Sequence, residues 1–143
     1  MIAVVLDANV LVSGFPARQG VPAELLDRWL AREYQLIVSE HVLGGAVQAW
    51  SKPWFRFRFP RPEVEHALYL LRSRATVVVP APDVHGVAPD VEDDLVLAAA
   101  VAGAADFLVT GDRLFRALGQ YEAIAIRSPR EFLTILEQEL SRP

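Results

Sequence analysis

The sequence predicts an α/β fold: a three-layer α/β/α sandwich around a mostly parallel five-stranded sheet. Three observations lead there. Short apolar runs recur at residues 2–6, 34–38, 76–79, 107–110 and 123–126. Stretches with helical spacing lie between them, so successive strands must be joined by crossovers that place helices on both faces. The runs are also nearly continuous in apolar character, as in strands buried on both sides.

Each element follows from local pattern. Residues 2–6 (IAVVL) form the first strand, which ends in an acid, Asp7. Residues 10–20 (VLVSGFPARQG) carry Gly and Pro punctuation and read as a loop leading to a helix from about Pro22, where proline suits the first turn. Leu25, Leu26 and Trp29 form the stripe of that helix. Residues 34–38 (YQLIV) are the second strand, and Ser39 caps a helix running to about Trp50, ended by Pro53. Residues 52–62 (KPWFRFRFPRP) follow neither period. A helix over residues 62–73 presents Val64, Leu68 and Leu71, and residues 76–79 and 80–89 make the third strand and a loop.

The central stretch, residues 90–112 (DVEDDLVLAAAVAGAADFLVTGD), reads as an acidic helix start, an apolar helix, a turn and a fourth strand ending at another acid, Asp112. A short helix over residues 112–118 and a fifth strand over 123–126 follow. Ser128, Pro129 and Glu131 form a capping box with proline at the first helical position. The last helix carries Phe132, Ile135, Leu136 and Leu140 at helical spacing.

With 143 residues, 52% of them hydrophobic, the chain suffices for one domain over residues 1–143 and is too short for two of ordinary size. No cysteine is present, which excludes disulfides and thiolate metal sites and fits a reducing compartment. Met1 leads straight into a strand without a signal segment, and no apolar run approaches the roughly 20 residues that span a bilayer. The expectation is a cytoplasmic protein with no membrane association. A net charge of -4 and a pI near 5.3 argue against coating nucleic acid by charge alone, but not against an enzyme that gathers carboxylates at one site.

Asp7 and Asp112 each follow a strand, so neighbouring strands would bring both to one sheet edge, where ligands of α/β folds bind. Asp93 or Asp94 opens the helix that leads into the Asp112 strand. Hard oxygen ligands without His or Cys select magnesium or manganese, which serve phosphodiester hydrolysis. Simpler accounts exist: acids at a helix start answer the helix dipole at about 0.3–1 kcal/mol each, and Asp112 after Thr110 and Gly111 suits a turn. Asp7 is harder to explain that way, because a carboxylate directly after a buried strand is costly unless paired or liganded.

Residues 5–14 (VLDANVLVSG), 90–112 and 128–133 (SPREFL) together resemble PIN domains, in the branch described as toxin components of toxin-antitoxin systems. The resemblance covers nearly the whole chain. It implies a PIN-like three-layer α/β/α sandwich and a ribonuclease using Mg2+ or Mn2+ held by clustered acids. By position it implies Asp7 as the first acid with Asn9 in support, Asp93 as the acid opening the later helix with Asp94 as the alternative, and Asp112 as the last acid with Thr110 as a supporting hydroxyl. It also implies an RNA substrate, a cognate antitoxin protein and a possible homodimer.

One acid is missing. The family's second acid is a glutamate about six residues after the serine that opens the helix following the second strand, and from Ser39 that position is Gly45. Glu40 lies five residues earlier, about 140° around the helix from position 45, and suits the dipole. His41 lies one turn before Gly45 on nearly the same face. The segment containing Lys52, Trp54, Arg56, Arg58 and Arg61 alternates cations with aromatics and suits single-stranded RNA. It equally suits aromatics packed under a helical connection with arginines at the rim.

Two functions follow: a metal-dependent endoribonuclease acting as a toxin, or a catalytically weakened PIN-like module that binds RNA or a protein. Aspartyl phosphotransfer of the haloacid-dehalogenase kind is disfavoured, because Asn9 stands where its second acid would be and the sole lysine, Lys52, lies away from a strand end. A dinucleotide fold lacks its glycine fingerprint after the first strand.

Overall fold

The computed structural model describes residues 1–142. Its elements are β1 (Ala3–Leu6), α1 (Ala8–Gly14), α2 (Val21–Leu30), β2 (Gln35–Ser39), α3 (Glu40–Trp50), α4 (Pro53–Arg58), α5 (Arg61–Arg74), β3 (Thr76–Val78), α6 (Val91–Ala102), β4 (Phe107–Val109), α7 (Arg113–Arg116), β5 (Gln120–Tyr121), β6 (Ile124–Arg127) and α8 (Pro129–Leu140). The sheet order is β3-β2-β1-β4-β6-β5, parallel except for β5 against β6.

Three local readings are corrected. The sheet has six strands, not five, because β5 pairs with β6 through a tight turn with Glu122 at φ 52°; two residues are too few to leave an apolar pattern. The stretch read as a loop from residue 10 begins inside α1. Asp7 caps this helix, and packing against α2 buries Val10, Leu11 and Gly14, which outweighs the weak helix propensity of valine and glycine. The punctuation marks the end of α1. Residues 53–58 form a helical turn, α4, with Pro53 at its start.

Elsewhere local chemistry and structure agree. Ser39 caps α3 at the Val42 amide, Pro22 sits in the first turn of α2, and Ser128 and Glu131 complete their capping box. All four β1 residues are buried. Tyr34 donates its hydroxyl to the Leu25 carbonyl and meets Phe132 edge-on, which joins β2, α2 and α8. A smaller cluster of Ala46, Trp50, Phe59 and Ala67 ties α3 to α5. No helix among the described residues is long and apolar enough to cross a membrane.

Two features position the site. β1 and β4 are parallel neighbours with Leu6 opposite Val109, so their following residues emerge at one edge. α6 crosses one face over β2, β1 and β4. Its close seat depends on Gly103, where a Cβ would stand 2.6 and 2.8 Å from Ile37 side-chain carbons.

Gly103→Ala is therefore expected to destabilise the protein by about 1–3 kcal/mol, seen as a lower urea midpoint with unchanged slope. Gly44→Ala is the control: it lies inside α3, a Cβ there meets nothing within 4 Å, and stability should rise by up to about 1 kcal/mol.

Candidate active site

Asp7 leaves β1 and is buried with both oxygens engaged. Oδ1 accepts from the Ala8 amide at 2.8 Å and Oδ2 accepts from the Thr110 hydroxyl at 2.8 Å. Thr110 is fully buried after β4, and its Oγ1 also accepts from the Asp112 amide at 3.1 Å. Asp112 turns Oδ1 to the Leu114 amide and so caps α7. Asn9, exposed, accepts at 3.4 Å from the Gly111 amide and closes a second tie between the ends of β1 and β4.

Asp93 approaches from α6. Its amide is capped by Asp90, while its buried side chain leaves Oδ2 with no hydrogen-bond partner. Burial, then the neighbouring acids Asp90, Asp7, Asp112 and Asp94, push its pKa up to about 6. Burial also raises the pKa of Asp7, against the Thr110 and Ala8 hydrogen bonds; Asp112 adds to the rise and His41 opposes it. Asp7, Asp93 and Asp112 thus share one field although they come from three separate segments. Asp94, one residue on, faces the preceding loop, where its carboxylate accepts from the Gly86, Val87 and Ala88 amides and is held below the usual carboxylate range. It anchors the loop.

A family model described as the PIN domain matches residues 3–114. The chain belongs to the PIN domain family. No curated protein matches it. Among solved structures, a chain in the crystal structure of VapBC2 from Rickettsia felis bound to a DNA fragment from their promoter is similar in fold. It aligns at TM-score 0.57 and 16% identity over 89% of this chain and 98% of that one.

The donor chemistry of this PIN domain fits a hard divalent ion: the carboxylates supply only oxygen, and Asp93 Oδ2 is buried without a partner. The carboxylates are not drawn into a ligand shell, since among the described residues no three His, Cys, Asp or Glu side chains are grouped closely enough to hold an ion. At Gly45 a Cβ would lie 3.6 Å from the Ala8 Cβ, an ordinary contact, so this position faces the residue after Asp7 and has room for a Cβ. Glu40 is turned away and pairs with Arg72 of α5. His41 binds Glu92 of α6, with Nε2 to Oε2 at 3.0 Å. The part played by Glu92 escaped sequence reasoning, because it lies among acids that the α6 dipole already accounts for.

The aromatic-basic segment lies away from the acids. Gly45 faces Ala8, whereas Trp50 donates from Nε1 to the Val12 carbonyl, so α3 leads away from Asp7. From Gly45 to Trp50 the helix advances roughly 8 Å before α4 begins. Phe59 is buried and Phe55 half-buried, but Trp54 is exposed and Phe57 is 92% exposed. The Arg58 guanidinium stacks 4.0 Å over the Trp54 ring and donates to the Trp54 carbonyl. Lys52 precedes α4, Arg56 borders a groove against Trp50 and Phe59, and Arg61 pairs with Glu65.

Because the folded pKa of Asp93 is raised from 3.8 to about 6, its contribution favours folding below pH 4 and is lost as pH rises through 6. Asp93→Asn removes that loss. It should be more stable than wild type at pH 8, on the order of 1–2 kcal/mol, with the difference shrinking towards pH 4. Urea unfolding of both proteins at several pH values checks this.

Proposed function

We propose that this PIN domain is a metal-dependent endoribonuclease and the toxin of a toxin-antitoxin pair. The reading is supported by Asp7 and Asp112 following strands that end at one sheet edge, and by an Asp93 carboxylate on α6 that feels both of their charges and leaves Oδ2 buried and unpartnered. Those three carboxylates would hold Mg2+ or Mn2+. The bound ion would supply an activated water and stabilise negative charge on a phosphodiester. Thr110 orients Asp7 through its hydroxyl, Asn9 fixes the turn that carries Asp112, and Asp94 keeps the 86–88 loop beside α6. An antitoxin partner is proposed from the family resemblance, and the structure similar in fold is of VapBC2 bound to a DNA fragment from their promoter.

Gly45 favours a second reading, a PIN scaffold with weakened chemistry that binds RNA or a protein. Cleavage of a structured RNA with manganese by wild type, Asp7→Asn and Gly45→Glu separates the two. Under the nuclease reading wild type cuts, and Asp7→Asn loses more than the roughly 10–100-fold that an outer partner of a metal site is worth. Cutting gained only in Gly45→Glu supports the second reading. Metal should also raise the wild-type melting temperature, by about 2.7 kcal/mol of stability at 100 times its Kd, with the response abolished in Asp7→Asn. A wild type indifferent to both ions would count against a metal site.

We also assign Lys52, Trp54, Arg56, Arg58 and Arg61 to RNA contact, supported by the exposure of Trp54 and Phe57 beside an arginine already stacked on an indole. Since α4 buries no residue, Arg56→Ala with Arg58→Ala should leave the melting temperature nearly unchanged. RNA binding should weaken, and the slope of log affinity against log salt should shrink by about 1.4 if both contact phosphates. Fluorescence anisotropy over a salt series measures it.

A further inference from the structure

The wall of the site at Gly45 has lost the family's carboxylate, yet it is not without a polar group. His41 stands one helical turn before Gly45 on the same side of α3, and position 45 faces Ala8, next to Asp7. The His41 ring does not turn to α5 as its neighbour Glu40 does. It reaches across to α6, where Nε2 meets the Glu92 carboxylate at 3.0 Å, one residue from Asp93. That contact engages one ring nitrogen, and the two nitrogens of an imidazole can serve different partners. The ring is only partly exposed, at 28%, whereas Glu92 is 74% exposed, so the histidine is the inner member of the pair.

A cluster of three aspartates repels the phosphate it must receive, and one nitrogen donor on the rim offsets that repulsion. We propose that His41, as an imidazolium paired through Nε2 with Glu92, is a substrate-contacting residue that donates from Nδ1 to an RNA phosphate on the wall left open by Gly45. The proposal rests on the ribonuclease reading for its substrate class. Glu92 is then a positioning residue. Burial raises the pKa of Asp7, and His41 is near enough to oppose that rise as the smallest of its influences. A bare surface ion pair would contribute only about 0–1 kcal/mol to stability and nothing to RNA affinity.

The test compares wild type, His41→Ala, His41→Asn, Glu92→Ala and Asp7→Asn in two assays: steady-state cleavage with manganese, and anisotropy of a labelled single-stranded RNA without divalent metal. His41→Ala should weaken RNA affinity and raise KM by about tenfold, the worth of one hydrogen bond to a charged group, with little change in melting temperature. His41→Asn, which keeps an N–H donor at the δ position, should recover part of the loss, and Glu92→Ala should fall between. If His41→Ala stays within twofold of wild type in both assays while Asp7→Asn abolishes cleavage, the His41 proposal fails and the nuclease reading stands. A wild type that does not cleave but loses RNA affinity on His41→Ala overturns the nuclease reading and supports the contact. Equal losses in His41→Ala and His41→Asn, accompanied by a fall in melting temperature, identify a structural pair and overturn the proposal. Neither cleavage nor RNA binding by wild type overturns both.

Discussion

Parallel pairing of β1 with β4, in the register that sets Leu6 against Val109, is the constraint on which the site depends. Both strands are buried and end at the same edge, so the residues that follow them, Asp7 and Thr110, are forced together although 103 positions separate them. The hydrogen bond between them satisfies a buried carboxylate oxygen, and the same hydroxyl accepts the Asp112 amide. Three site residues are thereby fixed by two bonds on one threonine. Asn9 adds a tie from the other side of the turn.

Asp7 carries two duties that compete for its charge. As the cap of α1 it stabilises a helix of weak intrinsic propensity. As a member of the acid set it sits where burial and Asp112 disfavour ionisation. Asp93 shows the cost more plainly, having an oxygen with no partner and a pKa of about 6. Such local disfavour persists only where the rest of the fold over-determines the position. Here α6 is anchored at one end by Asp90 and Asp94 and at the other by the close contact of Gly103 with Ile37.

The α3–α5 arm sets the outer boundary of the site. Glu40 at the start of α3 pairs with Arg72 near the end of α5, so the two helices lie antiparallel, and the Trp50 cluster closes their far end. A Cβ at Gly45 would meet only Ala8, at 3.6 Å, and none of that cluster.

The sequence by itself determined the alternation of strands and helices, the caps at Ser39 and Ser128, the acidic start of α6, and the placing of acids after β1 and β4. These are local matters, decided by propensity, periodicity and hydrogen bonds within a few residues. It did not reveal α1, because the burial that stabilises Val10 and Leu11 is supplied by α2. Nor did it reveal β5, which exists through its pairing with β6. The division between Asp93 and Asp94 was legible only as a family resemblance. Tertiary structure decided that the Asp94 carboxylate holds the 86–88 loop while Asp93 feels the charges of Asp7 and Asp112, because adjacent residues on a helix point about 100° apart and only the surrounding segments define what lies in each direction. The same holds for His41 and Glu92, brought together by the crossing of α3 and α6, a relation between segments about 50 residues apart that no local pattern records.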